Sequence, residues 1–120
     1  MIYTIPGTLP GLNDYISAER GNKYAGASMK KRVQSMIVSQ VGRLPFQEFD
    51  CPVFISYTWY EPNRRRDLDN VAFAKKFIQD ALVEAGVLQG DGWKHVVGFE
   101  DRFSVDKDNP RIEIQITEVR

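Results

Sequence analysis

The chain has 120 residues, 42% hydrophobic and 27% charged, which sets the expectation of one soluble globular domain, residues 1–120, with a modest core. Formal net charge is zero, so no global field draws the protein to nucleic acid, and any such attraction must come from local basic patches. One cysteine (Cys51) and one histidine (His95) exclude an intramolecular disulfide and multi-cysteine or multi-histidine metal sites. With no signal peptide and no apolar run near 18 residues, a cytoplasmic location away from membranes is expected.

In chain order, Met1 to Ile5 reads as a short strand stopped by Pro6-Gly7, and Leu9 to Asp14 is turn-rich. Ile16 to Ser28 is polar and glycine-bearing with no steady period. It reads as a mobile loop carrying Arg20 and Lys23, either a solvated connection or a flap that touches substrate. Ser28 is a candidate cap for a first helix, in which Met29, Val33, Met36, Ile37, Val41 and Leu44 form a core-facing stripe. Lys30-Lys31-Arg32 then form a basic first turn that opposes the helix dipole, as a solvated face or as a phosphate contact. Pro45 ends that helix.

Val53 to Tyr60 is β-branched and aromatic, a strand, broken by Glu61-Pro62-Asn63. Arg64-Arg65-Arg66-Asp67-Leu68-Asp69-Asn70 follows, with Asp69 or Asn70 placed as an N-cap. The second helix shows the clearest period in the chain: Val71, Ala74, Phe77, Ile78, Ala81, Leu82 and Ala85 on one face, with Gly86 at C′. Lys76 and Asp80 are i, i+4 neighbours and predict a helix-surface ion pair. Gln89-Gly90-Asp91-Gly92-Trp93 is a loop with one acid between glycines. Val96 to Phe103 is a third strand, and Arg111 to Thr117 alternates strictly as a half-buried antiparallel strand. The β-α-β-α-β-β order predicts an α+β domain, a mixed sheet with two helices packed on it.

The arginine-aspartate run is the chemical centre of the sequence. In extended chain Asp67 and Asp69 lie on one side with Cα atoms roughly 6.5 Å apart. Two carboxylates about 6 Å apart repel by roughly 3 kcal/mol at an effective dielectric of ~20. A helix N-terminus, the neighbouring arginines, or a hard divalent cation such as magnesium could each offset this. Successive extended residues alternate sides, so Arg64, Arg65 and Arg66 cannot all face one polyanion, and one is expected to pair with a carboxylate.

This run, with Asp80-Ala81-Leu82, Ala85-Gly86, and Leu88 followed by Asp91, resembles the RusA family of Holliday-junction resolvases, many of them carried by phages and prophages. The resemblance spans most of the chain. It implies magnesium, with manganese as a substitute, held by Asp67, Asp69 and Asp91, and a helix lysine that assists catalysis. Counting back from Asp80 places that lysine at Lys76. Counting from Asp67 places Phe73 there, because the chain carries extra residues after Asn70, and Lys75 is the rival. Asn13 falls on a family asparagine near the active site. The resemblance further implies a homodimer that makes paired cuts in four-way junction DNA during recombination and repair. Arg64, Arg65, Arg66, Asn13, Arg20, Lys23 and Lys75 are the candidate DNA contacts. Two other classes stay open: an inactive junction-binding structural module, and a magnesium phosphodiesterase acting on smaller substrates.

Overall fold

The computed structural model describes residues 2–22, 24–42 and 47–120. The elements run β1 (Ile2–Pro6), α1 (Leu12–Gly21), α2 (Ala25–Val41), β2 (Val53–Glu61), α3 (Leu68–Ala72), α4 (Lys75–Glu84), β3 (Val96–Val105) and β4 (Arg111–Glu118). The four strands form one mixed sheet in the order β1-β4-β2-β3. β4 is antiparallel to both β1 and β2, whereas β2 and β3 run parallel. A parallel pair needs a crossover, and α3 and α4 supply it. The expected α+β class and mixed sheet are both present.

The core follows from strand alternation. Val53, Ile55, Tyr57 and Trp59 of β2, Ile112, Ile114 and Ile116 of β4, and Tyr3 and Ile5 of β1 are buried. They meet Val33, Ile37 and Val41 of α2 and Phe77, Ile78, Ala81 and Leu82 of α4. The α2 stripe is as predicted except that Met36 is 38% exposed; Leu44 and Pro45 lie outside the described residues. Among these residues no helix is long and apolar enough to cross a membrane.

Three expectations are corrected. The predicted loop from Ile16 to Ser28 is helical through most of its length, ending α1 and starting α2, so Ser28 caps nothing. The apolar signal was missing because α1 has no fully buried residue. Gly26 is no breaker either: a Cβ there would stand 2.4 Å from Glu19 Cγ, so its bareness lets α1 lie close against α2. The early start of α2 also removes Lys30 from the first turn, and its amine pairs with Asp80 of α4 at 3.2 Å.

The predicted second helix is two, α3 and α4. Phe73 and Ala74 at the junction keep right-handed helical dihedrals. The bonds Ala74 N–H to Val71 O (3.3 Å) and Lys76 N–H to Phe73 O (3.2 Å) tighten to i→i−3. The apolar stripe therefore runs through the junction unbroken, and a periodicity reading could not see the division. The end of α4 is as predicted. Gly86 has φ +82°, its N–H reaches Val83 O at 3.1 Å, and the Val87 N–H reaches Leu82 O at 2.9 Å, a Schellman closure.

Candidate active site

The arginine-aspartate run leaves the end of the central strand β2 and enters α3. Arg66 turns back onto the strand. Its Nε and Nη2 donate to the two oxygens of Glu61 at 2.9 and 3.0 Å, and its Nη1 donates to Leu9 O at 3.0 Å. This is the arginine that pairs with a carboxylate, and the bidentate geometry fixes the loop to the strand end. The Arg65 N–H donates to Asn63 Oδ1 at 3.0 Å, which shapes the turn. Arg64 and Arg65 point outward, exposed, with no ion-pair partner among the described residues.

The N-cap of α3 is Asp67, not Asp69 or Asn70 as the sequence suggested. Its backbone is extended and its carboxylate makes no capping bond. Asp69 lies in the first turn and accepts only the Asn70 N–H at 3.0 Å. Asn70 has a different task. Its Oδ1 accepts the Asn13 N–H at 2.9 Å, in the first turn of α1, whose own N-cap residue is Gly11. Glycine has no side chain to cap with, and a Cβ at Gly11 would lie 2.5 Å from Asn70 Oδ1. Asn70 thus serves as a borrowed cap and brings Asn13 beside the acidic loop. Asn70→Ala is expected to destabilise the fold by about 0.5–2 kcal/mol, with Asn70→Asp much milder; urea denaturation of the two variants checks this.

The second part of the site lies on α4 and the loop before β3. Lys76 Nζ stands 3.0 Å from Asp80 and 3.2 Å from Asp91. The predicted helix-surface pair therefore exists, and the same amine also reaches Asp91. Lys76 is held above its ordinary pKa, chiefly by the hydrogen bond to Asp80, then, against some desolvation, by that to Asp91. Asp80 feels burial most, which raises it, but the bonds from Lys76 and Lys30 outweigh this and hold it below the usual carboxylate range.

The raised Lys76 contributes stability that is full below its unfolded pKa of about 10.5 and is lost as pH rises through the folded value. The lowered Asp80 contributes stability present above about 3.9 and lost as pH falls through its folded value. In an Asp80→Asn protein the Lys76 titration, followed by NMR at its Cε, is expected to move down toward the ordinary lysine value.

Lys75, the adjacent residue, goes elsewhere. Its amine pairs with Asp101 on β3, lies 4.0 Å above the Phe99 ring, and has a side chain only 17% exposed. Asp101 also accepts the Trp59 Nε1–H at 2.9 Å. Sequence reasoning missed this network because its members come from α4, β2 and β3; only the register, which sets Tyr57 opposite Asp101, brings them together. Arg20 is exposed in the last turn of α1, and Lys23 lies outside the described residues.

Among the described residues no three His, Cys, Asp or Glu side chains are grouped so as to hold an ion between them. The pair Asp67 and Asp69 stands on one loop, and Asp91 stands with Lys76. The molecule is thus an α+β domain that presents two unpaired carboxylates and two outward arginines at the end of its central strand. The chain belongs to the RusA endodeoxyribonuclease family: the family model, Endodeoxyribonuclease RusA, matches residues 13–117. That match runs from Asn13 to Thr117 and includes every acid and lysine of the site. Membership implies nuclease activity on Holliday-junction DNA. A comparison with curated proteins yields no match.

Proposed function

We propose that the chain is a magnesium-dependent resolvase that acts as a homodimer in the cytoplasm and makes paired cuts in four-way DNA junctions. The observation that carries this is the state of Asp67 and Asp69. Of three ways to offset their repulsion, the arginines are not used: Arg66 serves Glu61, and Arg64 and Arg65 point outward. The N-terminus of α3 is used only in part: Asp67 makes no capping bond, and Asp69 accepts a single N–H, that of Asn70. The donor set suits a hard cation, since magnesium is typically bound by one or two carboxylates, waters and substrate phosphate oxygens. Asp67 and Asp69 supply that pair; Asp91, held by Lys76 and not grouped with them in this structure, is proposed to join them as the third ligand when the ion binds. Such an ion, with manganese as a substitute, would polarise the scissile phosphate and lower the pKa of an attacking water.

The remaining roles belong to the chain itself. Lys76, charged over the whole neutral range, would stabilise negative charge on the phosphate or the leaving oxygen. Arg64 and Arg65 would grip flanking phosphates, and Asn13 and Arg20 of α1 would add further contacts. Arg66 positions the loop. Binding should weaken steeply with salt, and Arg64→Ala should reduce the slope of log affinity against log salt by about 1. A flat salt dependence in fluorescence anisotropy would remove the phosphate role of the arginines.

The test is cleavage of a synthetic four-way junction beside linear duplex, with magnesium, manganese or EDTA. Paired, metal-dependent nicks confined to the junction are expected. Equal cutting of duplex would make the protein an unselective nuclease. Activity on free nucleotides alone would make it a small phosphodiesterase, and binding without cutting under every metal a structural module.

A further inference from the structure

The loop between α4 and β3 holds a large aromatic side chain in water. Trp93 is 97% exposed, whereas the other tryptophan, Trp59, is 1% exposed in the core. A fully exposed tryptophan on an ordered turn is uncommon, because its ring is among the largest apolar groups a core or interface can use. The turn is held firmly. The N–H groups of His95 and Val96 both donate to Gly92 O at 3.0 Å, and the Val53 N–H donates to His95 O at 2.9 Å. The His95 ring fills the space beside Gly90, where a Cβ would stand 2.7 Å from its Cδ2. Trp93 is presented by a built scaffold.

Its neighbours extend the patch. Val97 and Phe99, two apart on edge strand β3, are 51% and 50% exposed. Together with Trp93, Gln79 and Asp91 they line a cleft of about 330 Å³, within the roughly 300–1,000 Å³ typical of small-ligand sites. One unpaired ammonium borders the aromatic surface: Lys94 follows Trp93 without an ion-pair partner among the described residues, whereas Lys75 over Phe99 is paired with Asp101 and Lys76 with Asp80 and Asp91.

We propose that Trp93, with Val97 and Phe99, stacks on a nucleobase left unstacked at the branch point of the DNA, beside the phosphate nearest Asp91. This rests on the proposed junction-nuclease function and adds to it the surface that recognises the branch. An aromatic face takes any base, because every base has a π-face, and the exposed Lys94 amine suits the phosphate attached to it. Paired bases inside a duplex offer no free face. A branch point opened by the protein exposes the faces of its central base pairs, so the patch selects structure and not sequence.

The two tryptophans make the test direct. Trp59 is shielded in the core and constant, so the wild-type spectrum minus that of Trp93→Phe isolates Trp93. Junction, single-stranded oligonucleotide and blunt duplex are titrated in EDTA, where cutting cannot intervene, and binding is followed independently by the anisotropy of labelled DNA. The expected result is strong quenching of Trp93 by junction and by single strand, saturating with the anisotropy, and little by duplex. Trp93→Ala should weaken junction binding about tenfold or more, and Trp93→Phe much less. Both changes lie at a fully exposed position and should leave the circular dichroism unchanged.

Junction bound by anisotropy with Trp93 emission unchanged would overturn the stacking and leave the nuclease function standing. No junction binding at all would overturn both. A blue shift of Trp93 that grows with protein concentration in the absence of DNA would overturn it in favour of a second copy covering the patch.

Discussion

Asp69→Asn is expected to lower junction cleavage by on the order of 10²–10³-fold or more while junction binding persists. The substitution is nearly isosteric. The amide oxygen can still accept the Asn70 N–H that Asp69 accepts at 3.0 Å, so the first turn of α3 should survive. What disappears is one of two charges that no neighbouring cation balances. The repulsion relieved is at most about 3 kcal/mol at an effective dielectric of ~20, and exposure to solvent reduces it to a fraction of that. The lost interaction with the helix N-terminus, roughly 0.3–1 kcal/mol, works the other way. The protein should therefore be as stable as wild type or slightly more so, and inactive. Loss of activity with retained stability and retained binding is the signature of a site whose charge serves a reaction. Cleavage, anisotropy and urea denaturation on one preparation give all three readings. Normal cleavage by pure Asp69→Asn protein would end the assignment of Asp69 to a metal.

The parts of the molecule legible in the sequence are those written in local periods. Strict alternation from Arg111 to Thr117 marked β4, and the apolar stripe of α2 and α4 marked the helices that cover the sheet. Gly86 announced the end of α4 because only a left-handed residue closes that turn readily. The acidic loop was legible as chemistry because two carboxylates and three arginines stand in one short run. What stayed hidden depends on partners distant in sequence. Helix α1 was invisible because it buries nothing fully, and the groups that hold it, Asn70 at its first turn and the bare Gly26 at its flank, give no local signal. One of the three arginines could be expected to pair, but that it is Arg66 depended on where Glu61 ends its strand. The choice between Lys75 and Lys76 could not be made by counting, because the tightened turn at Phe73-Ala74 shifts no residue off the stripe yet decides which amine faces β3.

That choice yields the prediction with the largest effect on stability. Asp101→Ala is expected to destabilise the fold by roughly 3–5 kcal/mol. Asp101 faces two donors at once, the Lys75 amine and the Trp59 indole, and its side chain is only 20% exposed. Removing it strands a largely buried cation and leaves the N–H of a core tryptophan unpaired. The Phe99 ring gives the amine some compensation, worth about 0.5–2 kcal/mol, and cannot replace a carboxylate. If the cost arises from the stranded charge, removing the charge should recover it. In Lys75→Met/Asp101→Asn, methionine keeps much of the apolar stem and the asparagine oxygen still accepts from Trp59. Relative to Asp101→Asn alone, which keeps the Trp59 bond but strands the amine, most of the lost stability should return in the double variant, and the coupling from the cycle of Lys75→Met and Asp101→Asn should be large and favourable.

Lys76→Met should behave oppositely. Its side chain is 58% exposed, so its ion pairs are worth less than about 1 kcal/mol to the fold, while cleavage should fall because the amine beside Asp91 is gone. Denaturation and cleavage measured on the two lysine variants thus separate a lysine that holds the strand β3 to α4 from one that serves the phosphate. A folded Lys75→Met protein that cannot cut, beside an active Lys76→Met, would reverse the roles.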